Sequence, residues 1–196
     1  MYDKAAENYS AERDVFKNQK YLDRLSEQLA PGSTVLDIGC GAGIPVDKYL
    51  EGHSYKVIGL DISEKQIELA RKNLPNQSFK VKDMSELAEG EFQVDAVVSF
   101  YAIFHTPREQ HLELFKRVIS FLPQSGFILV TMGSGEWEGT EDDFHGAKMF
   151  WSHFGADKNK ELIEQAGFNI LFDEIDESGG EKHLVILAKK KEYWVQ

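Results

Sequence analysis

The chain has 196 residues and a mass of 22.3 kDa, enough for one ordinary domain, and at 42% hydrophobic and 28% charged residues it reads as globular, not disordered. Its 22 Lys and Arg against 33 Asp and Glu leave a net charge of −11, which argues against nucleic acid or an anionic membrane surface as partner. The one cysteine, Cys40, excludes an intramolecular disulfide and a cysteine-built zinc site; the polar N-terminus shows no signal peptide, no apolar run approaches the roughly 20 residues of a spanning helix, and a cytoplasmic protein is expected.

Residues 3–30 read as helical, with Tyr21, Leu22, Leu25 and Leu29 on one apolar stripe ended by Pro31-Gly32. Strand and helix then alternate. Thr34–Ile38 is a short buried strand, followed by glycines, and Val46–Leu50 is a short helix. Tyr55–Leu60 is the second strand. Ser63 caps the next helix, with Gln66 at capping-box spacing and Ile67 and Ala70 facing inward. Ser78–Val81 is the third strand, and Val94–Phe100, nearly all apolar, is a fourth buried on both faces. Pro107 opens a helix with Leu112, Phe115, Ile119 and Leu122 on one face, and Phe127–Thr131 is the fifth strand. Asp157 caps a helix that holds Leu162 and Ile163 and stops at Gly167. Phe168–Ile175 and His183–Lys189 form a hairpin through Ser178-Gly179-Gly180. This order predicts an α/β fold, a doubly wound sheet with one antiparallel strand added late. Chemistry is expected beyond the carboxyl ends of the strands, just after residues 38, 60, 81, 100 and 131.

Gly39-Cys40-Gly41-Ala42-Gly43 lies at the first of these places. Glycines let the backbone turn tightly and let a ligand touch the main chain. A dinucleotide loop needs a third glycine at position 44, where Ile44 stands instead; the spacing here is G-x-G-x-G. The run Val35-Leu36-Asp37-Ile38-Gly39-Cys40-Gly41-Ala42-Gly43 resembles the first motif of the class I S-adenosylmethionine-dependent methyltransferases, and the resemblance extends to about Leu187. It implies a Rossmann-like seven-stranded, mostly parallel sheet of order 3-2-1-4-5-7-6 with strand 7 antiparallel, and S-adenosylmethionine as donor with S-adenosylhomocysteine as product. Gly39, Cys40 and Gly41 would line the donor, and Asp37 would orient the loop and reach the methionyl amine. Asp61 ends the second strand 20 residues after Gly41; a carboxylate there can accept both ribose hydroxyls or cap the next helix. Ile62 can pack on the adenine. The resemblance further implies that Asp83 accepts from the adenine amino group, that the Met84 N–H meets a ring nitrogen, and that Ser99 and Phe100 offer a backbone carbonyl to the ammonium. Tyr2-Asp3 and Tyr9-Ser10 resemble the family's helical cap, with Tyr9 directed to the methionyl carboxylate and Arg13 a further counter-ion.

Methyl transfer is a direct displacement at an activated carbon, so alignment and water exclusion dominate and no catalytic side chain is obligatory. A base is needed only where the acceptor loses a proton, and His105, after the fourth strand, is the candidate; its alternative is a helix-entry residue bonded to backbone. Tyr101 is expected to line the acceptor pocket or the core. Residues 134–155 are expected to form an acceptor-side insertion between the cofactor-binding core (31–133) and a closing helix and hairpin (156–196), with residues 1–30 as a cap. Trp151 and His153 are its acceptor-side candidates. Its aromatic residues and acids, among them Trp137, Glu138 and Glu141, suit a cationic or amine acceptor, or form a satellite core with a solvated acidic face. No spacing resembles a metal site. Ser99-Phe100-Tyr101-Ala102 stands where a D/N-P-P-Y amine-methylation tetrapeptide would. The expected function is methyl transfer to a small-molecule O, N or C acceptor, the alternatives being a non-catalytic donor-binding module and a nicotinamide-dependent dehydrogenase.

Overall fold

The apolar runs between residues 34 and 133 become the middle of a sheet because each is covered on both faces. The computed structural model describes residues 18–144, 147–178 and 180–192. After α1 (Gln19–Ser26) the chain runs β1 (Thr34–Ile38), α2 (Val46–Gly52), β2 (Lys56–Asp61), α3 (Glu64–Asn73), β3 (Ser78–Val81), β4 (Ala96–Ser99), α4 (His111–Ser120) and β5 (Phe127–Gly133). It continues through β6 (Trp137–Phe144), β7 (Ala147–His153), α5 (Ala156–Gln165), β8 (Phe168–Asp176) and β9 (His183–Lys190). Seven strands pair in the order β3-β2-β1-β4-β5-β9-β8, with β9 antiparallel to both neighbours and the remaining pairs parallel. The order and the lone antiparallel strand match the sequence expectation.

Period-2 alternation along β1 sends Val35 to one face and Leu36 and Ile38 to the other. On the first face Val35, Val57, Val98 and Leu129 pack with Tyr21, Leu22 and Leu25 of α1 and Leu50 of α2. On the second, Leu36, Val97 and Ile128 pack with Phe115 and Val118 of α4 and Ile163 of α5. A smaller cluster, Cys40 with Ile67, Ala70, Leu74 and Phe79, seats α3 beside β3.

Local departures from the expected elements have local causes. Residues 3–17 of the expected N-terminal helix lie outside the described residues. α1 ends at Ser26, where the backbone bonds tighten from Gln28 N–H to Leu25 O and from Leu29 N–H to Ser26 O. Pro107 does not start α4: its ψ of 128° is extended, a 3₁₀ turn over Arg108–Gln110 intervenes, and the Arg108 N–H donates to Ser152 Oγ at 2.9 Å. Gly155, not Asp157, caps α5, and Asp157 lies in the first turn, where its charge suits the helix dipole. The expected capping box at α3 is half formed. Ser63 Oγ accepts from Gln66 N–H at 3.2 Å, but the Ser63 N–H donates to Asp61 Oδ1 at 2.9 Å. Residues 137–153, within the expected acceptor-side insertion of 134–155 and assigned no element from sequence, pair as the β6–β7 hairpin from Trp137↔His153 to Phe144↔Ala147. No helix among the described residues is long and apolar enough to cross a membrane.

Tyr21, Leu22 and Leu25 of α1 are wholly buried. Leu25→Ala should therefore lower the unfolding free energy by about 2–5 kcal/mol, the usual cost of a large-to-small change in a packed core, measured by urea denaturation.

Candidate active site

The loop after β1 is forced into its shape by glycines. Gly39, Gly41 and Gly43 have φ of 82°, 56° and 76°, the left-handed region. At Gly39 a Cβ would lie 2.3 Å from the Ala102 Cβ, so the loop and the segment after β4 approach as closely as two backbones allow. The N–H groups of Gly39 and Cys40 donate to Leu60 O at 2.7 and 2.9 Å, and Asn73 Nδ2 donates to Ala42 O at 2.9 Å. Asp61 Oδ2 accepts from the Gly41 N–H at 2.9 Å while its Oδ1 holds Ser63. A carboxylate has about four lone-pair sites, so bonds to these backbone donors do not by themselves exclude a ligand's hydroxyls.

This loop borders a cavity of about 310 Å³ at the carboxyl ends of the strands. Gly39 and Gly41 form one side, Asp61 and the 48%-exposed Ile62 the next, and Asp83 and Met84 a third. Phe100, Tyr101 and His105 close the end towards β4. Asp83 also caps the turn that follows it, accepting from the Ser85 N–H at 2.8 Å.

Other expected site residues lie elsewhere. Cys40 turns its side chain into the α3 cluster; burial, then the charges of Asp47, Asp37 and Asp61, raise its thiol pKa and keep it protonated. Ser99 is buried, and its hydroxyl donates to Ile38 O at 2.7 Å. Trp151 and His153 face a second cavity. Tyr9 and Arg13 lie outside the described residues. Asp37 is buried beneath the loop on the α2 face of β1 and meets a second carboxyl, Asp47, which the sequence did not single out. Asp47 is wholly buried in the first turn of α2. Burial first, then the neighbouring Asp37 carboxyl, raise its pKa well above the ordinary range and favour its protonated form.

Tyr101 is a bulky residue at φ 57°, a conformation costing of order 1–3 kcal/mol. Two bonds hold it: its N–H donates to Thr131 Oγ1 at 2.6 Å, and its hydroxyl accepts from Asn18 Nδ2 at 2.6 Å. His105 ends a 3₁₀ turn over Ile103–His105. Its Nδ1 lies 2.9 Å from Phe150 O in β7. A carbonyl only accepts, so Nδ1 carries the hydrogen and the basic lone pair sits on Nε2. Burial lowers the pKa, partly offset by that bond, and the ring is neutral at pH 7. Trp151 lies against it at 4.4 Å between ring centroids. Sequence reasoning also missed Met149, which lines the cavity from β7, and His111, buried at the start of α4 with its ring near Thr106 O. The alternation Met149, Trp151, His153 was the available signal for Met149. No cluster of metal-ligating side chains occurs among the described residues.

A family model described as a methyltransferase domain matches residues 35–126, the span from β1 to the edge of β5. Over that span, just under half of its length, the chain is similar to methyltransferase domains. It is 32% identical over 106 residues to the cyclopropane mycolic acid synthase MmaA2 of Mycobacterium tuberculosis, a match covering 52% of this chain and 37% of that protein; it thus spans well under half of that relative's length. A SAM-dependent methyltransferase from Methanosarcina mazei shares the fold, at TM-score 0.74 and 20% identity over 87% of this chain and 98% of that one. So does the protein DhpI, described in complex with SAH, at TM-score 0.75 and 20% identity over 98% and 95% of the two chains.

The carboxyl pair makes a pH prediction for the fold. Asp47 has a raised folded pKa, so its stabilising contribution is full below the unfolded carboxyl pKa of about 4 and falls as pH rises towards the folded value. Asp47→Asn keeps a hydrogen-bond donor and removes the titration. Its unfolding free energy should vary less with pH than the parent's, and its advantage should grow from about pH 4 upward, as followed by urea denaturation across pH 4–9.

Proposed function

We propose that the chain transfers a methyl group from S-adenosylmethionine to an O, N or C atom of a small-molecule acceptor. The observation that carries this reading is the left-handed glycine loop facing Asp61 and Asp83 across a cavity large enough for a nucleoside-sized ligand. Bound S-adenosylmethionine supplies an electrophilic methyl already activated by its sulfonium charge. The chain's part is to hold, orient and exclude water. In this reading the backbone of Gly39 and Gly41 receives the methionyl end. Asp61 takes the ribose hydroxyls, and Ile62 covers the adenine. Asp83 and the Met84 N–H read the adenine edge, and the Phe100 carbonyl meets the ammonium. Ser99 contributes by fixing the end of β1 through Ile38, and the Asp37–Asp47 pair supports the loop from below.

His105 serves as general base where the acceptor carries a proton. It is neutral at pH 7, and the Phe150 carbonyl fixes the tautomer that presents Nε2. The acceptor is not inherited from MmaA2, whose name specifies mycolic acids, because the match covers 52% of this chain. The net charge of −11 sets the acceptor apart from nucleic acid. A cytoplasmic setting, where Cys40 stays reduced, completes the proposal.

S-adenosylhomocysteine at 100 times its Kd should stabilise the fold by about 2.7 kcal/mol, a rise of several degrees in Tm, whereas NADH should leave Tm unchanged. Asp61→Ala should weaken that binding about tenfold or more in calorimetric titration. A larger shift with NADH would overturn the assignment.

His105→Ala should cut turnover about 100-fold or more while changing the S-adenosylhomocysteine Kd less than about threefold. Labelled donor tested against small amines, phenols and carboxylates provides the assay. Full turnover across pH 6–9 would leave His105 as an anchor for β7, and no turnover with any acceptor would favour a donor-binding module.

A further inference from the structure

A second cavity, of about 460 Å³, opens between the β6–β7 hairpin and the start of β9. One wall is a stack of rings. Phe104 lies 5.3 Å from Trp151 and 5.6 Å from His183, with interplanar angles of 28° and 26°, and His153 meets it edge-on at 6.1 Å. Trp137 also borders the cavity and is 58% exposed, a large apolar surface left open to water. Two glycines make room for these rings. A Cβ at Gly133 would fall 2.0 Å from His153 Nδ1, and one at Gly139 would fall 3.0 Å from Trp137 Cζ2. His153 Nδ1 is further held 2.7 Å from Gly135 O.

The charges around these rings are mainly acidic. Glu141 and Glu181 stand at the rim, and Glu141 has no ion-pair partner among the described residues. One cation, Lys182, also lines the cavity and is paired with Glu177 at 2.7 Å; Lys148 pairs with Asp142 at 3.0 Å and Arg108 with Glu136 at 2.9 Å. His183 is neutral at pH 7, because burial outweighs the Glu181 charge. Aromatic rings with two lining carboxylates against the one lining lysine leave the walls net acidic, which attracts an organic cation. A small hydrated metal ion would gain little from such walls. The net charge of −11 adds long-range attraction of the same sign.

This cavity shares a partition with the donor cavity. Tyr101 and His105 line the donor side, while their ring neighbours His183, at 4.9 Å, and Trp151, at 4.4 Å, line the other. We propose that the second cavity binds a quaternary ammonium head group, and that this head group anchors the methyl acceptor beside the donor. The anchoring role rests on the methyl-transfer reading; the binding of the cation does not.

Choline and its uncharged carbon isostere, with a tert-butyl group in place of trimethylammonium, are titrated into the isotope-labelled full chain while the indole N–H resonances of Trp137 and Trp151 are followed. Choline should give saturable shifts of both signals and bind at least about fivefold more tightly than the isostere, the factor one cation–π contact supplies. Trp137→Ala, at an exposed position, and the isosteric Glu141→Gln should each weaken choline about threefold or more. Both variants should keep parental affinity for S-adenosylhomocysteine. Non-saturating shifts overturn the proposal, and so do equal affinities for choline and the isostere, which mark the cavity as merely apolar. The choline titration judges the cavity whatever the outcome with S-adenosylhomocysteine, which judges the methyl-transfer reading alone.

Discussion

The carboxylate of Asp61 ties together the parts on which the donor cavity depends. One oxygen takes the N–H of Gly41 in the loop after β1, and the other takes the N–H of Ser63 at the start of α3. The loop has left the sheet, and its remaining fastenings are backbone bonds to Leu60 O and the reach of Asn73. A single negative charge at the end of β2 thus fixes the separation of two segments whose N–H groups would otherwise turn to water. The cap reading and the ligand reading of Asp61 are compatible, because a carboxylate oxygen can accept from more than one donor.

Much of the sheet was legible because burial on both faces leaves an unmistakable mark. Val35-Leu36 and Ala96-Val97-Val98 are apolar without interruption, and the glycines that follow β1 signal a conformation other residues resist. The β6–β7 hairpin was not legible. Glu138, Gly139, Thr140 and Glu141 alternate no apolar residues, because this strand packs against one partner and water, not into a layered core. Its pairing is decided by where β7 docks, through Ser152 on Arg108 and Phe150 on His105.

Of the residues named from sequence, those that line the cavity sit at or just after strand ends, such as Asp61 and Asp83. Asp47 escaped because an acid in the first turn of a short helix reads as an exposed partner of the helix dipole. Its burial against Asp37 arises only when α2 lies across β1. Cys40 and Ser99 show the converse. They sit at the expected places in the chain, yet alternation along the backbone turns the thiol towards α3 and the hydroxyl towards Ile38.

The bond from His105 to Phe150 runs to a main-chain carbonyl, so the ring's orientation is indifferent to which side chain occupies position 150. The neighbouring side chains of β7, Met149 and Trp151, shape the two cavities. The shape of the cavities and the orientation of the imidazole are therefore set by different atoms of the same strand. Descendants of this sequence are free to exchange the hairpin's side chains, and with them the molecules they admit, while inheriting an imidazole already set in one tautomer.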